Sequence, residues 1–195
     1  MGATERQRSR GALFNLLVDG VVQEASCATI MVKSNLSQAH EQNGPNGYHK
    51  IGNILVPTSD SEYSEHAVEV ASTIAAETGA IVTLVNVVNR SQREYILFEE
   101  QTIHSVTDIA QQLLNQQAQV GQGLGAVVKT TILTGIPELE ILNFARTSQV
   151  DLIVMGSNVH TVSGRAFFGH RADAILNKAP CPVAVITLPV NPNCE

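Results

Sequence analysis

Short apolar runs alternate with amphipathic stretches along most of this sequence. The runs Lys50–Pro57 and Asp151–Met155 are largely apolar, which predicts buried strands. From Ser61 onwards apolar residues recur three and four positions apart, which predicts a helix that ends at Thr78 and Gly79. The predicted strands are 50–57, 80–89, 126–133, 151–155 and 182–186, and the predicted helices are 61–78, 99–119, 137–146 and 167–178. This alternation predicts a five-stranded, parallel, doubly wound α/β sheet of the Rossmann-like kind, with helices on both faces.

The sequence repeats itself at an offset of 154 residues. Residues 1–32 align without a gap on residues 155–186, with identities at eight of the 32 positions. The identical pairs are Met1/Met155, Gly2/Gly156, Ser9/Ser163, Ala12/Ala166, Phe14/Phe168, Asp19/Asp173, Ala25/Ala179 and Cys27/Cys181. We interpret the chain as the last helix and strand of a preceding copy (1–33), a polar linker (34–48), a complete copy of the domain (49–189) and a tail (190–195). The sequence is therefore expected to belong to a longer tandem protein.

Composition and charge exclude several classes of function. Apolar residues make up 44% of the chain, which is enough to fill a core. Acidic residues outnumber basic ones by 18 to 12, and the net charge of −6 argues against nucleic acid as a partner. The three cysteines suit a reducing cytosol, and the six histidines show no paired ligand spacing, so no metal site is predicted. No apolar run approaches the roughly 18 residues that a membrane helix needs.

Several stretches of the predicted domain resemble the universal stress protein family. They are ILVPTSDSEYSEHA from Ile54, VTLVNVV from Val82, DLIVMGSNV from Asp151, and NKAPCPVAVI, which follows Gly169. The resemblance implies that the first and fourth predicted strands lie side by side where the strand order reverses. It also implies an adenine nucleotide in the crevice there in the ATP-binding members. Their phosphate loop follows the pattern glycine, two residues, glycine, nine residues, glycine, and serine or threonine, which lets the backbone approach a phosphate.

The resemblance places a candidate nucleotide crevice in the loops that follow these strands. Its residues are Pro57, Thr58, Ser59, Asp60, Val87, Gly156, Ser157, Asn158, Gly169, His170 and Arg171. The sequence departs from the family pattern at three points. Val159 stands at the second glycine, His170 replaces serine or threonine, and Ser59 precedes Asp60 where an aspartate is usual. Because the branched side chain of Val159 restricts φ and fills space that a phosphate needs, ATP is not expected to bind in the ordinary way.

Two roles stay open for His170 and Arg171, which are predicted to lie in the last helix beside Gly169. They can supply positive charge to an anion such as ATP, AMP or a cyclic dinucleotide, in place of the missing serine. Alternatively, Arg171 pairs with a nearby carboxylate while His170 packs against its neighbours. Asp173 recurs as Asp19 in the repeat, which favours a shared helix cap or a local ion pair.

A narrower resemblance links the chain to universal stress modules appended to membrane transporters. SGRAFFGHRADAIL from Ser163 and APCPV from Ala179 resemble such modules, particularly the cytosolic tails of cation/proton antiporters. This implies a non-enzymatic regulatory or dimerisation domain in the cytoplasm, joined to a transporter and to the preceding copy. The homodimer is expected to form through the last strand, with Val183, Val185 and Ile186 in the contact. The alternative is a sensor domain that binds an adenine nucleotide or cyclic dinucleotide at the switch point.

The motifs in the sequence do not indicate an enzyme. Ser59, Ser61 and Ser64 have no histidine and aspartate at recognisable spacing, and serines before a helix are typical caps. A nucleotide hydrolase would need an intact phosphate loop, a Walker lysine and a general base. The glycine-rich segment 121–125 follows a helix and enters a strand, so we interpret it as a helix-ending linker rather than a phosphate loop. Cys181 is expected to pack as a small apolar residue.

Overall fold

The computed structural model describes residues 16–33, 50–89, 100–162 and 165–189, so the predicted linker 34–48 and tail 190–195 lie outside the described residues. The strands are β1 (Thr29–Lys33), β2 (Asn53–Pro57), β3 (Ile81–Val88), β4 (Val127–Thr134), β5 (Leu152–Gly156), β6 (His160–Val162), β7 (Arg165–Phe167) and β8 (Val183–Thr187). The helices are α1 (Leu16–Glu24), α2 (Glu62–Thr78), α3 (Glu100–Gly123), α4 (Pro137–Thr147) and α5 (His170–Lys178). Every predicted strand and helix of the complete copy is present, with its ends shifted by at most four residues.

The predicted doubly wound sheet is formed by β2, β3, β4, β5 and β8. The order across the sheet is β1-β8-β5-β2-β3-β4, and all neighbours except β1 and β8 run parallel. The chain proceeds outwards from β2 through β3 and β4 on one side and through β5 and β8 on the other. The order therefore reverses between β2 and β5, where Ile54 pairs with Leu152. In such sheets the carboxyl ends of the two strands at the reversal form the ligand crevice.

Helices cover both faces of the sheet, as predicted. One apolar cluster joins α2 and α3 to the sheet and includes Val68 and Leu114. The other joins α1, α4 and α5 to the opposite face and includes Leu142 and Ile175. β2 and β5 contribute to both clusters because successive side chains point to opposite faces, which explains why these two runs are apolar throughout. Within the described ranges, no helix is both long enough and apolar enough to cross a membrane.

Local hydrogen bonds fix the ends of α2 and β2. The hydroxyl of Ser61 caps α2 by accepting a backbone N–H of the first turn at 3.3 Å. The helix ends at Gly79, whose φ of 73° suits a residue without a Cβ. At the start of β2, the carboxylate of Asp151 accepts the N–H groups of Gly52 and Asn53 at 2.8 and 2.9 Å. The segment that leads into β5 is thereby fastened to the beginning of β2.

The sheet has a sixth strand beyond the five expected from the sequence. β1 pairs antiparallel with β8, and Met31 lies opposite Val185. The N-terminal segment therefore extends the parallel sheet at one edge. The three residues of the expected dimer contact, Val183, Val185 and Ile186, are at most 1% exposed. The edge of β8 that a second chain would use is taken by β1, and a homodimer through this strand stays a prediction.

The nine residues between Val159 and Gly169 contain a hairpin. β6 and β7 pair antiparallel, with His160 opposite Phe167. The predicted start of the last helix at residue 167 is wrong, because pairing with His160 draws Phe167 into β7 and α5 begins only at His170. Gly169 separates the hairpin from the helix with a φ of 86°, a conformation that favours glycine.

Burial makes Cys181 a poor nucleophile. Burial raises the pKa of the Cys181 thiol to about 11; the negative charge of Asp151 adds to the rise, and a hydrogen bond with the Ile153 backbone opposes it. Because only the thiolate attacks, iodoacetamide at pH 8 should alkylate the exposed Cys27 at least ~100-fold faster than Cys181. Peptide mass spectrometry of the folded chain measures both rates, and the urea-unfolded chain is the control. Equal labelling of both cysteines in the folded chain would contradict the buried position of Cys181.

Candidate functional site at the sheet switch point

The carboxyl ends of β2 and β5 lie side by side and carry most of the predicted crevice. Both strands end at predicted positions, Pro57 and Gly156. The segment before α5 reaches the same end of the sheet, because Ser157 donates its hydroxyl to the carbonyl oxygen of Phe168 at 2.8 Å. Val87 lies near the end of the neighbouring strand β3. The ends of β2, β3 and β5 and the segment before α5 therefore lie at one end of the sheet.

Thr58 faces into the fold rather than into the crevice. Its N–H donates to the carbonyl oxygen of Val85 at 2.8 Å, and its hydroxyl donates to the side-chain oxygen of the buried Gln117. Asn86 and Gln117 in turn donate to the carbonyl oxygens of Thr58 and Ser59, at 3.0 and 3.3 Å. Sequence reasoning missed Gln117 and Asn86, and the available signal was a polar Gln117 on the buried face of α3. This network fixes the loop after β2 and gives Thr58 a structural role.

A cluster of three serine hydroxyls lies at the start of α2. The Oγ of Ser59 lies 3.2 Å from that of Ser61 and 3.0 Å from that of Ser64, and Ser61 donates to Ser64 at 3.0 Å. Ser64 is buried, whereas Ser59 and Asp60 are exposed. The hydroxyls bind one another and the first turn of the helix, which confirms the predicted capping arrangement.

Gly156 is required by the packing of α2 on β5. A Cβ at this position would lie 1.9 Å from the carbonyl oxygen of Tyr63 and 2.8 Å from the backbone nitrogen of Ser64. The backbone of the first helical turn thus occupies the space beside Gly156. The neighbouring Ser157 is buried, and its hydroxyl is bonded to the carbonyl oxygen of Phe168, while Asn158 is exposed. The first glycine of the family pattern therefore has a structural explanation in this chain.

Val159 occupies the second glycine position with a packed side chain. It is half-buried and lies against the apolar cluster under α4 and α5, as does Val87 from β3. An apolar side chain thus takes up room in the turn where the family pattern has only a hydrogen atom. The side chain of Val159 is thus directed to the apolar cluster of the fold.

The start of α5 presents two basic side chains at the surface. Gly169 is the N-cap residue, no side-chain cap is formed, and a Cβ built on it would meet nothing within 4 Å. His170 and Arg171 are both exposed, and the ring of His170 lies edge-on to Phe167 with centroids 5.2 Å apart. His170 therefore packs on the hairpin, which agrees with the predicted role in which it packs against its neighbours. Arg171 projects from the first turn of α5.

Asp173 lies in a partly buried position behind the start of α5. Burial raises the pKa of its carboxyl group, while a hydrogen bond with the Phe168 backbone and the charges of His170 and Lys33 lower it. Its Oδ1 atom is buried and has no hydrogen-bond partner among the described residues. His170 belongs to the complete copy and Lys33 to β1 of the N-terminal segment. Charges from both parts of the chain therefore act on the Asp173 carboxylate. The effect of burial outweighs the attraction to these two charges, so the shared helix cap and the local ion pair stay predictions.

The described residues at this end of the sheet offer hydrogen bonds and surface charge. Across the part of the chain that the structure describes, no three His, Cys, Asp or Glu side chains cluster as a metal site would require. The serine hydroxyls are bonded to one another rather than to a base. Among the described residues, such an arrangement can attract an anion to its rim, and the serine hydroxyls have no base beside them.

The sequence pattern across this fold matches a known family. The model of the universal stress protein family covers residues 50–187. The chain belongs to the universal stress protein family. A universal stress protein of Methanocaldococcus jannaschii is 32% identical to it over 151 residues, which make up 76% of this chain and 87% of the relative.

Two solved universal stress proteins from Archaeoglobus fulgidus share the fold. One was solved in complex with dAMP; it is 22% identical with a TM-score of 0.55, and the match covers 71% of this chain and 99% of that chain. The other is 18% identical with a TM-score of 0.57, and the match covers 95% of this chain but 60% of that chain. The second match therefore extends well outside the universal stress domain at residues 50–187.

Replacement of Gly156 tests its packing role. Gly156→Ala should lower the free energy of unfolding by about 3 kcal/mol or more, because the new methyl group can be housed only if α2 moves off β5. Urea unfolding followed by circular dichroism measures the change. Gly20→Ala on α1 is the control, since a Cβ there meets nothing within 4 Å and should cause no loss. A Gly156→Ala variant as stable as the native chain would contradict the close approach.

The raised pKa of Asp173 predicts a pH-dependent effect of its charge. When the folded-state pKa of a carboxyl lies above its unfolded value, the folded chain loses stability as pH rises through that range. Asp173→Asn should therefore stabilise the chain at pH 7 and have little effect near pH 3, where the carboxyl is protonated in both states. Urea midpoints at the two pH values measure the difference, with the exposed Asp60→Asn as control. A loss of stability at pH 7 would mean that attraction to His170 and Lys33 outweighs burial.

Proposed function

We propose that residues 50–187 form a non-enzymatic regulatory domain of the universal stress type, which works in the cytosol without a bound nucleotide. It acts by assembly: with the preceding copy of the domain, with a second chain, and with a membrane transporter of the cation/proton antiporter kind. The observation that carries this proposal is the filled phosphate loop, where Val159 packs into an apolar cluster and Gly156 lies under the backbone of α2.

A bound phosphate needs backbone N–H groups that point at it and open space beside them. The space beside Gly156 holds the backbone of Tyr63, and the space beside Val159 holds its own side chain. Ser157 directs its hydroxyl to the carbonyl oxygen of Phe168. The loop positions that would face a phosphate are thus engaged in packing and hydrogen bonds within the fold, which supports a role without nucleotide.

The last strand is the element through which contact with other copies is proposed. β8 meets β1 along its full length in antiparallel register. A homodimer through Val183, Val185 and Ile186 would need a second chain to displace β1 from that edge. The attachment to a transporter is supported by the stretches from Ser163 and Ala179, which resemble transporter-associated modules.

Nucleotide sensing is a second candidate function. It is favoured by the Archaeoglobus fulgidus universal stress protein solved with dAMP. It is also favoured by the start of α5, where the exposed His170 and Arg171 flank a helix N-terminus without a side-chain cap. The phosphate of ATP, AMP or a cyclic dinucleotide would then bind on this rim rather than in the filled loop. Binding would shift the attached protein between two states that differ in nucleotide affinity.

Ligand analysis separates the two functions. We expect mass spectrometry of the denatured chain to find no released nucleotide. Calorimetric titration of the native chain with ATP, AMP and cyclic di-AMP is expected to give no binding heat up to about 1 mM. Micromolar binding that is lost in His170→Ala and Arg171→Ala would overturn the proposal and establish the sensor.

Restoring the family pattern provides the converse test. The double variant combines Val159→Gly with His170→Ser. The first change opens space beside the backbone of the loop, and the second places a hydroxyl beside the N-terminus of α5. We expect this variant to bind ATP with a Kd of roughly 10–100 μM. Val159→Ala with the same His170→Ser change is the matched control, because it removes packing but keeps a Cβ in the loop. ATP binding by both variants alike would show that a Cβ at position 159 is not what blocks the loop.

A further inference from the structure

Helix α3 carries two apolar stripes, and only one of them is buried in the core. The first includes Leu114, which is fully buried against the sheet. The second consists of Val106, Ile109 and Val120, which are 43%, 65% and 47% exposed, with the half-buried Leu113 between them. Successive members are three, four and seven residues apart, which places all of them on one face of the helix. Single exposed aliphatic side chains are common, but a continuous stripe indicates a contact surface.

The second stripe lies on the side of α3 that faces α2. Gln117 points to that side, because its amide donates to the carbonyl oxygen of Ser59 and its oxygen accepts the Thr58 hydroxyl, in the loop that leads into α2. Leu113 and Val120 stand four residues before and three residues after Gln117, which makes them its neighbours on the helix surface. The stripe therefore runs beside Gln117, along the flank of α3 next to α2.

The side of α2 that faces α3 is acidic. Ser72 marks this side, since a Cβ built on Gly121 of α3 would lie 2.7 Å from its hydroxyl. Glu65 and Glu69 precede Ser72 by seven and three residues, so they share its face of α2, and both are exposed. The two helices together hold six of the 18 acidic residues of the chain but none of its 12 lysines and arginines. An aliphatic stripe on one helix thus lies beside an acidic stripe on the other.

We infer that the groove between α2 and α3 is a docking site for a basic amphipathic helix of a partner protein. This α2–α3 groove is lined by four aliphatic and two acidic side chains: Val106, Ile109, Leu113, Val120, Glu65 and Glu69. Aliphatic side chains of the partner helix pack on the stripe of α3, while its lysines or arginines pair with the carboxylates of α2. The inference rests on the assembly role in the proposed function, to which it adds a partner of defined chemistry.

The charge of the groove decides between possible occupants. An acidic helix, a nucleic acid or an anionic membrane would be repelled by the carboxylates. A second copy of this chain that presented the same two helices would bring acidic residues against acidic residues. A helix with lysine or arginine beside its aliphatic residues satisfies both walls of the groove at once.

Two synthetic peptides test the α2–α3 groove. Each has about 20 residues, which is enough to form a helix, with leucine at heptad positions a and d. One peptide carries lysine at positions e and g, and the other carries glutamate there. The native chain should bind the lysine peptide with a Kd of roughly 10–100 μM at low salt, and at least ~10-fold more weakly at about 0.5 M salt. The glutamate peptide should not bind at up to about 1 mM, as measured by fluorescence anisotropy.

Neutralising the acidic wall tests its contribution. The double variant Glu65→Gln with Glu69→Gln should weaken binding of the lysine peptide at least ~5-fold, because the lysines lose their partners. The matched control is Glu24→Gln with Glu77→Gln, which removes the same charge from exposed positions outside the groove. The control should bind the lysine peptide as the native chain does.

Shortening the apolar contact tests the aliphatic wall. Ile109→Gln should weaken binding of the lysine peptide at least ~5-fold, because the leucines of the peptide lose apolar contact. Leu139→Gln is the control, since Leu139 is a 47% exposed aliphatic residue on α4, across the sheet. Both substituted side chains are exposed, so circular dichroism should show the native fold in each variant.

Three results would overturn the docking site. They are no binding of the lysine peptide at about 1 mM, equal binding of both peptides, and binding that neither the Glu65 and Glu69 changes nor Ile109→Gln alters. A dimer of the native chain that Ile109→Gln dissolves in analytical ultracentrifugation would make a second copy of this chain the occupant instead. Micromolar nucleotide binding would overturn the proposed function, whereas loss of peptide binding without nucleotide binding would overturn only this docking site.

Discussion

The close approach of the first turn of α2 to Gly156 is the constraint on which the site depends. α2 can lie flat on β5 only because residue 156 has no side chain, with the carbonyl oxygen of Tyr63 where a Cβ would be. That contact brings the N-terminus of α2, with its serine cluster, to the strand-order reversal between β2 and β5. Since the packing alone demands glycine, a glycine that matches the family's phosphate-loop pattern does not by itself indicate a ligand.

Much of the fold follows from local pattern, and the exceptions are long-range. β2 and β5 are apolar at every core position because both faces are covered, and such runs are visible in the sequence. The hairpin of β6 and β7 depends on the pairing of His160 with Phe167. The pattern of apolar and polar residues in the sequence does not predict this pairing. Gly121 is also instructive: it was interpreted as part of a helix-ending linker but lies within α3, where a Cβ would meet Ser72 of α2 at 2.7 Å.

The residues of the candidate site meet at one end of the sheet, but the roles of the individual residues were not predictable from their spacing. Thr58 is held by Gln117, 59 residues away, and Ser157 by the carbonyl oxygen of Phe168. Both contacts form only once the strands are ordered in the sheet. The sequence can therefore place these residues near the site, but it cannot show that their polar atoms point into the fold. Val159 is the exception, because a branched side chain in a glycine position has a steric consequence that is visible in the sequence.

The charge at the end of β1 distinguishes its pairing with β8 from the pairing of two β8 strands. Lys33 donates to the side chain of Asn177 at 3.2 Å, and its charge acts on the buried carboxyl of Asp173. The counterpart of Lys33 in the repeat is Thr187. In a homodimer of complete copies through β8, threonine would replace lysine beside each Asp173, leaving both partly buried carboxylates without that neighbour. A surface charge contributes only about 1 kcal/mol or less, but such differences select between strand pairings that are otherwise similar. The charge of Lys33 therefore favours the pairing of β8 with β1 over a pairing of two β8 strands.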